Sequence, residues 1–367
     1  MRLFFEGRHE LLDIFIKQSS LLCQVFVFQN EKYEPPKLGL VNFIPIQYGT
    51  FGLGYLFKWF NFDITTPSYI KQYDENISKL MPTHIIIFDF FRFSFWQALA
   101  YKKKYPNTKL YLFSETKRWP VRYLTRLVMK IFFWRFKKNI QHIEKILVWT
   151  EQGRGWFAKN LPDKKVELVP APVDTDLFVP NARKTWVPNG MLRILMNARY
   201  SPYKHHEDLL QALLVLQERG QNVHLSLIGR ADAGKVKLRK RVIELGLESV
   251  VTFLDTVPHT DMPAIYNQHD ILVLPSYNEA IGMVVPEAMA CGLPTITSDT
   301  IGANVYVKEG VTGLIFKTGD TNDLVKKLEQ CFEVGKLERM GKIGRVEICE
   351  KHGLEIGQRR FISTLQK

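Results

Sequence analysis

Cysteine is scarce in this chain, with 4 among 367 residues. Cys23, Cys291, Cys331 and Cys349 show neither metal-ligand spacing nor the density of a disulfide framework. They are read as reduced, mostly buried thiols of a cytosolic protein. A run long enough to span a bilayer is also missing, because Lys17 and Lys130 interrupt the best apolar candidates. No secretory leader is read, since Met1-Arg-Leu-Phe-Phe-Glu6 meets charge at once. Internal repeats and low-complexity tracts are absent. Acidic residues are nearly absent from one segment. Residues 101–150 hold 13 Lys and Arg against 2 Asp and Glu, so the chain's net charge of +13 is concentrated there. Such a local excess points to an anionic surface met by the N-terminal half.

What is present is an alternation. Short β-rich runs recur in the first half: Gln24–Phe28, Val41–Ile46, His84–Phe88, Lys109–Phe113, Lys145–Trp149 and Val166–Pro170. Several are continuous apolar runs, as in strands covered on both faces. Helical segments such as Phe95–Lys104 separate some of them. The second half repeats the pattern. Strands are expected at Arg193–Met196, His224–Ile228, Val250–Phe253, Ile271–Leu274, Thr295–Thr297 and Leu314–Phe316. Helices are expected at His206–Arg219, Lys235–Leu245, Met262–Gln268 and Thr321–Glu333, with Asp261 as an N-cap. This is doubly wound α/β patterning. Pro172, Pro180 and Pro188 place a linker over Ala171–Gly190.

The chemistry concentrates at Glu279-Ala-Ile-Gly-Met-Val-Val-Pro-Glu287, between an expected strand and an expected helix. Two carboxylates at such a junction can hold sugar and ribose hydroxyls. The free backbone N–H groups between them can face a phosphate. A second junction holds Arg199 and Lys204, five residues apart. Arg supplies a planar fork and Lys a movable point charge, so the two can bracket a diphosphate.

These blocks resemble those of the retaining family 4 glycosyltransferases (glycosyltransferase group 1). Glu279 and Glu287 match the E-x7-E motif, and Glu287-Ala-Met-Ala-Cys-Gly-Leu-Pro-Thr-Ile-Thr-Ser-Asp299 extends it. Gly302 and Gly310-Val-Thr-Gly313 continue in register. Arg199 and Lys204 match the family's G-R-x4-K-G segment, with Ala198 and His205 in place of its glycines. Ile228-Gly229 and Phe253-Leu-Asp-Thr-Val257 resemble its shorter blocks. Pro170-Ala-Pro-Val-Asp174 resembles its linker signature, with Ala171-Pro172 for the usual Asn-Gly. The resemblance is specific over about 192–328 and looser before that.

The resemblance implies the GT-B fold, two Rossmann-like doubly wound domains facing across a cleft. Residues 1–175 would bind the acceptor and 176–345 the nucleotide sugar. Residues 346–367 would form a helix packing back on the first domain. It implies that Glu279 contacts the transferred sugar, Glu287 the ribose, Val257 the base, Arg199 and Lys204 the diphosphate, and the N–H groups of Ile281, Gly282, Met283 and Val284 the sugar and phosphates. The donor would be a UDP-, GDP- or ADP-sugar. Retention would follow from front-face attack, with the leaving phosphate helping to take the acceptor proton. No cofactor or metal is expected. The only Asp-x-Asp, Asp174-Thr-Asp176, belongs to the linker signature.

The N-terminal half departs from the pattern. The family's glycine-rich loop after the first strand is missing, with only Gly7 nearby, and Gly49-Thr-Phe-Gly52-Leu-Gly54 comes late. Where many members carry a histidine, this chain has Ser114-Glu115, with Asp89 after the preceding strand. Glu115 or Asp89 is the candidate to orient or deprotonate an acceptor hydroxyl. Residues 117–138 hold eight cations and no acid. On a helix Arg122, Arg126, Lys130 and Lys137 fall on one side, with Leu124, Leu127, Val128 and Ile131 opposite. That suits an anionic leaflet rather than a nucleic acid. A glycan or lipid-linked acceptor at the cytoplasmic face of a membrane is therefore expected. The rival readings are a nucleotide-sugar 2-epimerase and a non-catalytic glycan- or membrane-binding protein.

Overall fold

The computed structural model describes residues 73–366, apart from 89, 92, 115–122, 182–184, 231–232 and 278, and the backbone of five earlier strands. Those strands are β1 (Arg2–Phe5), β2 (Gln24–Asn30), β3 (Val41–Ile46), β4 (Tyr48–Thr50) and β5 (Ser68–Ile70). There follow α1 (Tyr73–Leu80), β6 (His84–Phe88), α2 (Phe93–Lys104), β7 (Lys109–Phe113) and α3 (Tyr123–Lys138). Next come β8 (Ile146–Val148), α4 (Glu151–Asn160) and β9 (Val166–Leu168). β3-β2-β1-β6-β7-β8-β9 form one sheet with every pair parallel. β4 and β5 form an antiparallel pair that the periodicity did not show.

The second sheet is built from β10 (Leu192–Asn197), β11 (Val223–Ile228), β12 (Val251–Phe253), β13 (Ile271–Leu274), β14 (Thr295–Ser298) and β15 (Gly313–Phe316). Its order is β12-β11-β10-β13-β14-β15, again all parallel. The helices of this part are α5 (His206–Glu218), α6 (Ala233–Glu244), α7 (Met262–Asn267), α8 (Val284–Ala290), α9 (Thr321–Glu329) and α10 (Lys336–His352). α11 (Leu354–Gln366) closes the chain. β13 is buried at all four positions, and Ile194, Leu195 and Met196 of β10 are buried with it. Such continuous apolar strands need cover on both faces, which the intervening helices supply.

The chain divides into two compact units, 1–170 with 357–367, and 171–356. The sequence reading divided it after 175 and began the returning segment at 346. Within the first unit, the Tyr111 hydroxyl donates to the Leu365 carbonyl at 2.9 Å and Lys145 Nζ to the Thr364 carbonyl at 2.6 Å. The expected linker is not a loose connector. Ala171, Val173 and Phe178 are buried in the second unit. Arg345 of α10 donates to the carbonyls of Thr175, Phe178 and Ala290, tying the segment to α8 and α10.

Asp261 stands at the N-cap position of α7, as expected, but its side chain makes no capping hydrogen bond there, and a 3-10 turn, His259–Asp261, leads into the helix. Capping occurs at α9, where Asp320 accepts from the Asp323 N–H at 3.0 Å.

Candidate functional site

In the second sheet the strand order reverses between β10 and β13. A parallel sheet opens a crevice outside the carboxyl ends of the strands at such a reversal. Both predicted donor blocks start there. Asn197 ends β10 and leads into Arg199 and Lys204, while Leu274 ends β13 and leads into Glu279. The turn after β10 is held against the end of β11, because the Ala198 N–H donates to the Ile228 carbonyl at 3.0 Å. Gly229 makes that approach possible: a Cβ there would lie 2.1 Å from the Ala198 carbonyl oxygen.

The structure joins the two blocks directly. Lys204 Nζ donates to Glu279 Oε2, and both side chains are largely buried. Burial and the neighbouring Arg199 guanidinium push the Lys204 ammonium down to about 8. The Glu279 carboxylate acts in the opposite direction. Arg199 itself is exposed.

Between the glutamates, Gly282 has φ of +63°. A Cβ there would come within 3.1 Å of both Ala303 Cβ and Glu279 Cγ. Glycine is therefore required on two grounds, conformation and space. Among the described residues, the N–H groups of Ile281, Gly282, Met283 and Val284 have no acceptor. Glu287 sits in the first turn of α8 and is 7% exposed. Its Oε2 accepts from the Tyr266 hydroxyl at 2.9 Å, and its Oε1 meets His259 Nε2 at 2.9 Å. Burial, with the Glu287 charge next, holds Tyr266 well above its usual range, so the phenol keeps its proton and donates. His259 follows Val257 by two residues, and Val257 is half-buried against the core. The E-x7-E block is thus linked to the stretch after β12.

Tyr266, His259 and Tyr277 are not among the residues expected from the sequence, and His205 is noted there only as standing where the family segment has glycine. The available signal is slight: His259 and Tyr277 each lie two residues from a residue already chosen, and Tyr266 lies in the helix expected at Met262–Gln268. Glu115 and Asp89 lie outside the described residues, as do residues 51–54 of the late glycine-rich stretch.

The basic segment forms α3, but its faces differ from the expected ones. Met129, Phe133 and Phe136 are buried. Phe136 stacks on Phe90 with ring centroids 5.0 Å apart. Leu127, Ile131 and Trp134 are 45, 52 and 56% exposed. At 3.6 residues per turn these three form one stripe. Arg126, Lys130, Arg135, Lys137 and Lys138 are exposed around it. The larger Phe side chains take the inward positions, leaving Leu127 and Ile131 outside. Arg122 and Leu124 have no described side chains. Among the described residues no helix is long and apolar enough to cross a membrane.

Residues 181–346 match the family described as glycosyl transferases group 1. A D-inositol 3-phosphate glycosyltransferase of Corynebacterium aurimucosum is 30% identical over 185 residues, 47% of this chain and 44% of that protein. The matched stretch thus spans under half of that relative. Among solved structures, sucrose-phosphate synthase from Thermosynechococcus elongatus is similar with a TM-score of 0.78 at 18% identity, over 100% of this chain and 98% of that one. An Anabaena protein, HepE, solved in complex with UDP and glucose, is similar with a TM-score of 0.72 at 16% identity, over 100% and 99%.

Proposed function

We propose that this chain, which has the GT-B fold and whose residues 181–346 belong to the glycosyl transferases group 1 family, moves a sugar from a nucleoside-diphosphate sugar to an acceptor hydroxyl with retention. The observation that carries this reading is the meeting of Lys204 with Glu279 at the strand-order reversal. A diphosphate entering there finds Arg199, Lys204 and the N–H groups of Ile281 to Val284. Stabilising the departing diphosphate is the main task of the reaction, and fixed cations and N–H groups do this without reorganising. Glu279 would take the sugar hydroxyls. Glu287, its second oxygen fixed by Tyr266, would take the ribose, with Val257 beside the base. Glu115 or Asp89 would orient the acceptor. The UDP and glucose in the similar Anabaena structure make UDP-glucose the first donor to try.

The test is a hydrolysis panel of UDP-, GDP- and ADP-sugars, with and without EDTA, on wild type and Glu287→Ala. Slow release of one nucleoside diphosphate, unaffected by EDTA and lost in the variant, is the expected result. Loss of the wild-type signal in EDTA would overturn the metal-independent reading. Silence throughout, with no nucleotide binding, would mean a binding protein. Release of a free 2-epimer would mean an epimerase.

The acceptor is proposed to be lipid-linked or close to an anionic membrane. The exposed Leu127–Ile131–Trp134 stripe and its cations support this. Each Lys or Arg near an anionic leaflet contributes roughly 1 kcal/mol. Co-sedimentation with phosphatidylserine vesicles is expected to fall at least ~10-fold on changing Arg126, Lys130 and Lys137 to Glu. Changing Ile131 and Trp134 to Ser should release the protein from the same vesicles in high salt. Unchanged sedimentation of the triple variant would rule the membrane face out.

A further inference from the structure

His205 has φ of 49°, the left-handed region that favours glycine. A non-glycine residue is strained there and is held only where its surroundings fix it. The His205 ring lies face to face with the Tyr277 ring, in contact with it and with 2° between the planes. The Tyr277 N–H donates to the Tyr203 carbonyl at 3.1 Å, and the Tyr277 carbonyl accepts from Thr300 Oγ1 at 3.0 Å. Gly319 leaves room for the phenol, since a Cβ there would lie 2.5 Å from the Tyr277 hydroxyl. Asp208, in the first turn of α5, stands 3.5 Å from His205 Nδ1. Burial and the same Asp208 push the Tyr277 hydroxyl up, which marks the two groups as close.

We infer that the His205–Tyr277 stack is a positioning device that holds the loop after β10 against the loop after β13, so that Lys204 and Glu279 meet. The inference rests on the donor-site reading given above. Its geometry is direct. Lys204 immediately precedes His205, and Glu279 follows Tyr277 by two residues. Apart from the short 3-10 turn Pro202–Lys204, the two loops lack regular structure near these residues. Among the described residues, contacts that cross between them include the stack, the Tyr277-to-Tyr203 hydrogen bond and the Lys204–Glu279 pair. Of these only the stack joins two flat, stiff groups. Glycine at 205 would suit the backbone but would leave the loops without that join. Neither ring is assigned a chemical step.

Glycine at position 205 is also what makes the test clean. His205→Gly removes the ring and relieves the backbone, so unfolding should not become easier. Tyr277→Leu removes the stack from the other side, and Tyr277→Phe retains it. Two readouts are needed. The first is kcat/KM for hydrolysis of UDP-glucose, GDP-glucose or ADP-glucose, whichever wild type accepts. His205→Gly and Tyr277→Leu should each lower it ~10-fold, the double variant no further, and Tyr277→Phe little. The second readout needs no donor. Acylation of Lys204 by acetic anhydride, followed by mass spectrometry, should run ~5-fold faster in His205→Gly and Tyr277→Leu than in wild type or Tyr277→Phe. Unchanged Lys204 labelling in both stack-breaking variants would overturn the inference, as would additive losses in the double variant. Faster labelling in a protein that hydrolyses no sugar nucleotide would leave the positioning device standing and overturn the donor-site reading instead.

Discussion

Replacing Lys204 by alanine is expected to lower the rate of sugar transfer ~10²–10³-fold, the range seen when one fixed group facing a developing charge is removed. In the proposed transfer, the negative charge that would develop on departure is that of a diphosphate. Lys204 is 14% exposed at the side chain, so little water stands ready to replace its ammonium. Its depressed proton affinity adds a pH signature. The free enzyme holds Lys204 charged below about 8 and loses that charge above it. A bound anion favours the charged form, so it raises the group's affinity for a proton. Sugar-nucleotide affinity should therefore be full below pH 8 and fall towards tenfold per pH unit above it, until the bound form also titrates. Folding shows the opposite slope. The folded state is penalised for a charged Lys204, and that penalty is relieved as pH rises from about 8 towards 10.5. Lys204→Arg keeps a charge that does not titrate. Its nucleotide affinity, measured by calorimetry from pH 7 to 9.5, should lose the extra fall seen in wild type. An alanine variant with wild-type turnover, or an arginine variant with the wild-type pH profile, would remove Lys204 from the diphosphate site.

Much of the second unit was legible because its signals are local. Continuous apolar runs mark buried parallel strands, and Ile271–Leu274 was placed to the residue. Gly282 and Gly229 sit where the backbone needs positive φ or a close approach, so their positions in the blocks have a mechanical reason. What the sequence did not show are groups acting across 20 or more residues. Tyr266 and His259 meet Glu287 from 21 and 28 positions away, and Tyr277 meets His205 across 72. Only the folded sheet brings these together. The faces of α3 were misjudged for a related reason. Periodicity shows that a helix has sides, but the volume available beneath it decides which side turns in. Phe133 and Phe136, packed with Phe90 and Phe95, filled that volume.

The largest expected effect on stability lies at the opposite edge of the same two strands. Asp270, at the entry to β13, is fully buried. Its Oδ2 accepts from Arg193 Nε and from the Arg193 backbone N–H, both at 2.9 Å. Its Oδ1 accepts from Arg193 Nη2 at 2.7 Å and from the Val187 N–H at 3.2 Å. One carboxylate thus satisfies a guanidinium fork and two backbone donors at the start of β10 and the segment before it. Replacing it by alanine leaves a largely buried Arg193 without its counter-charge, and two N–H groups without an acceptor. Removing one partner of such a pair costs about 3–5 kcal/mol. Asp270→Ala should therefore lower the unfolding free energy of the second unit by that amount, read from the fall in its urea midpoint multiplied by the slope m. A shift below about 1 kcal/mol would show that water replaces the carboxylate, contrary to its burial. Asp270→Leu combined with Arg193→Leu should recover much of the loss, because no charge is then stranded. The pair also bears on the site. β10 and β13 register as Ile194 on Ile271 and Leu195 on Leu272, directly beyond Arg193 and Asp270. The other ends of these strands carry Lys204 and Glu279 into the crevice. A clamp that fixes the strands at their entry fixes how far each donor block projects at their exit. Nucleotide affinity in the folded fraction of Asp270→Ala should accordingly fall with stability, and return in the double leucine variant.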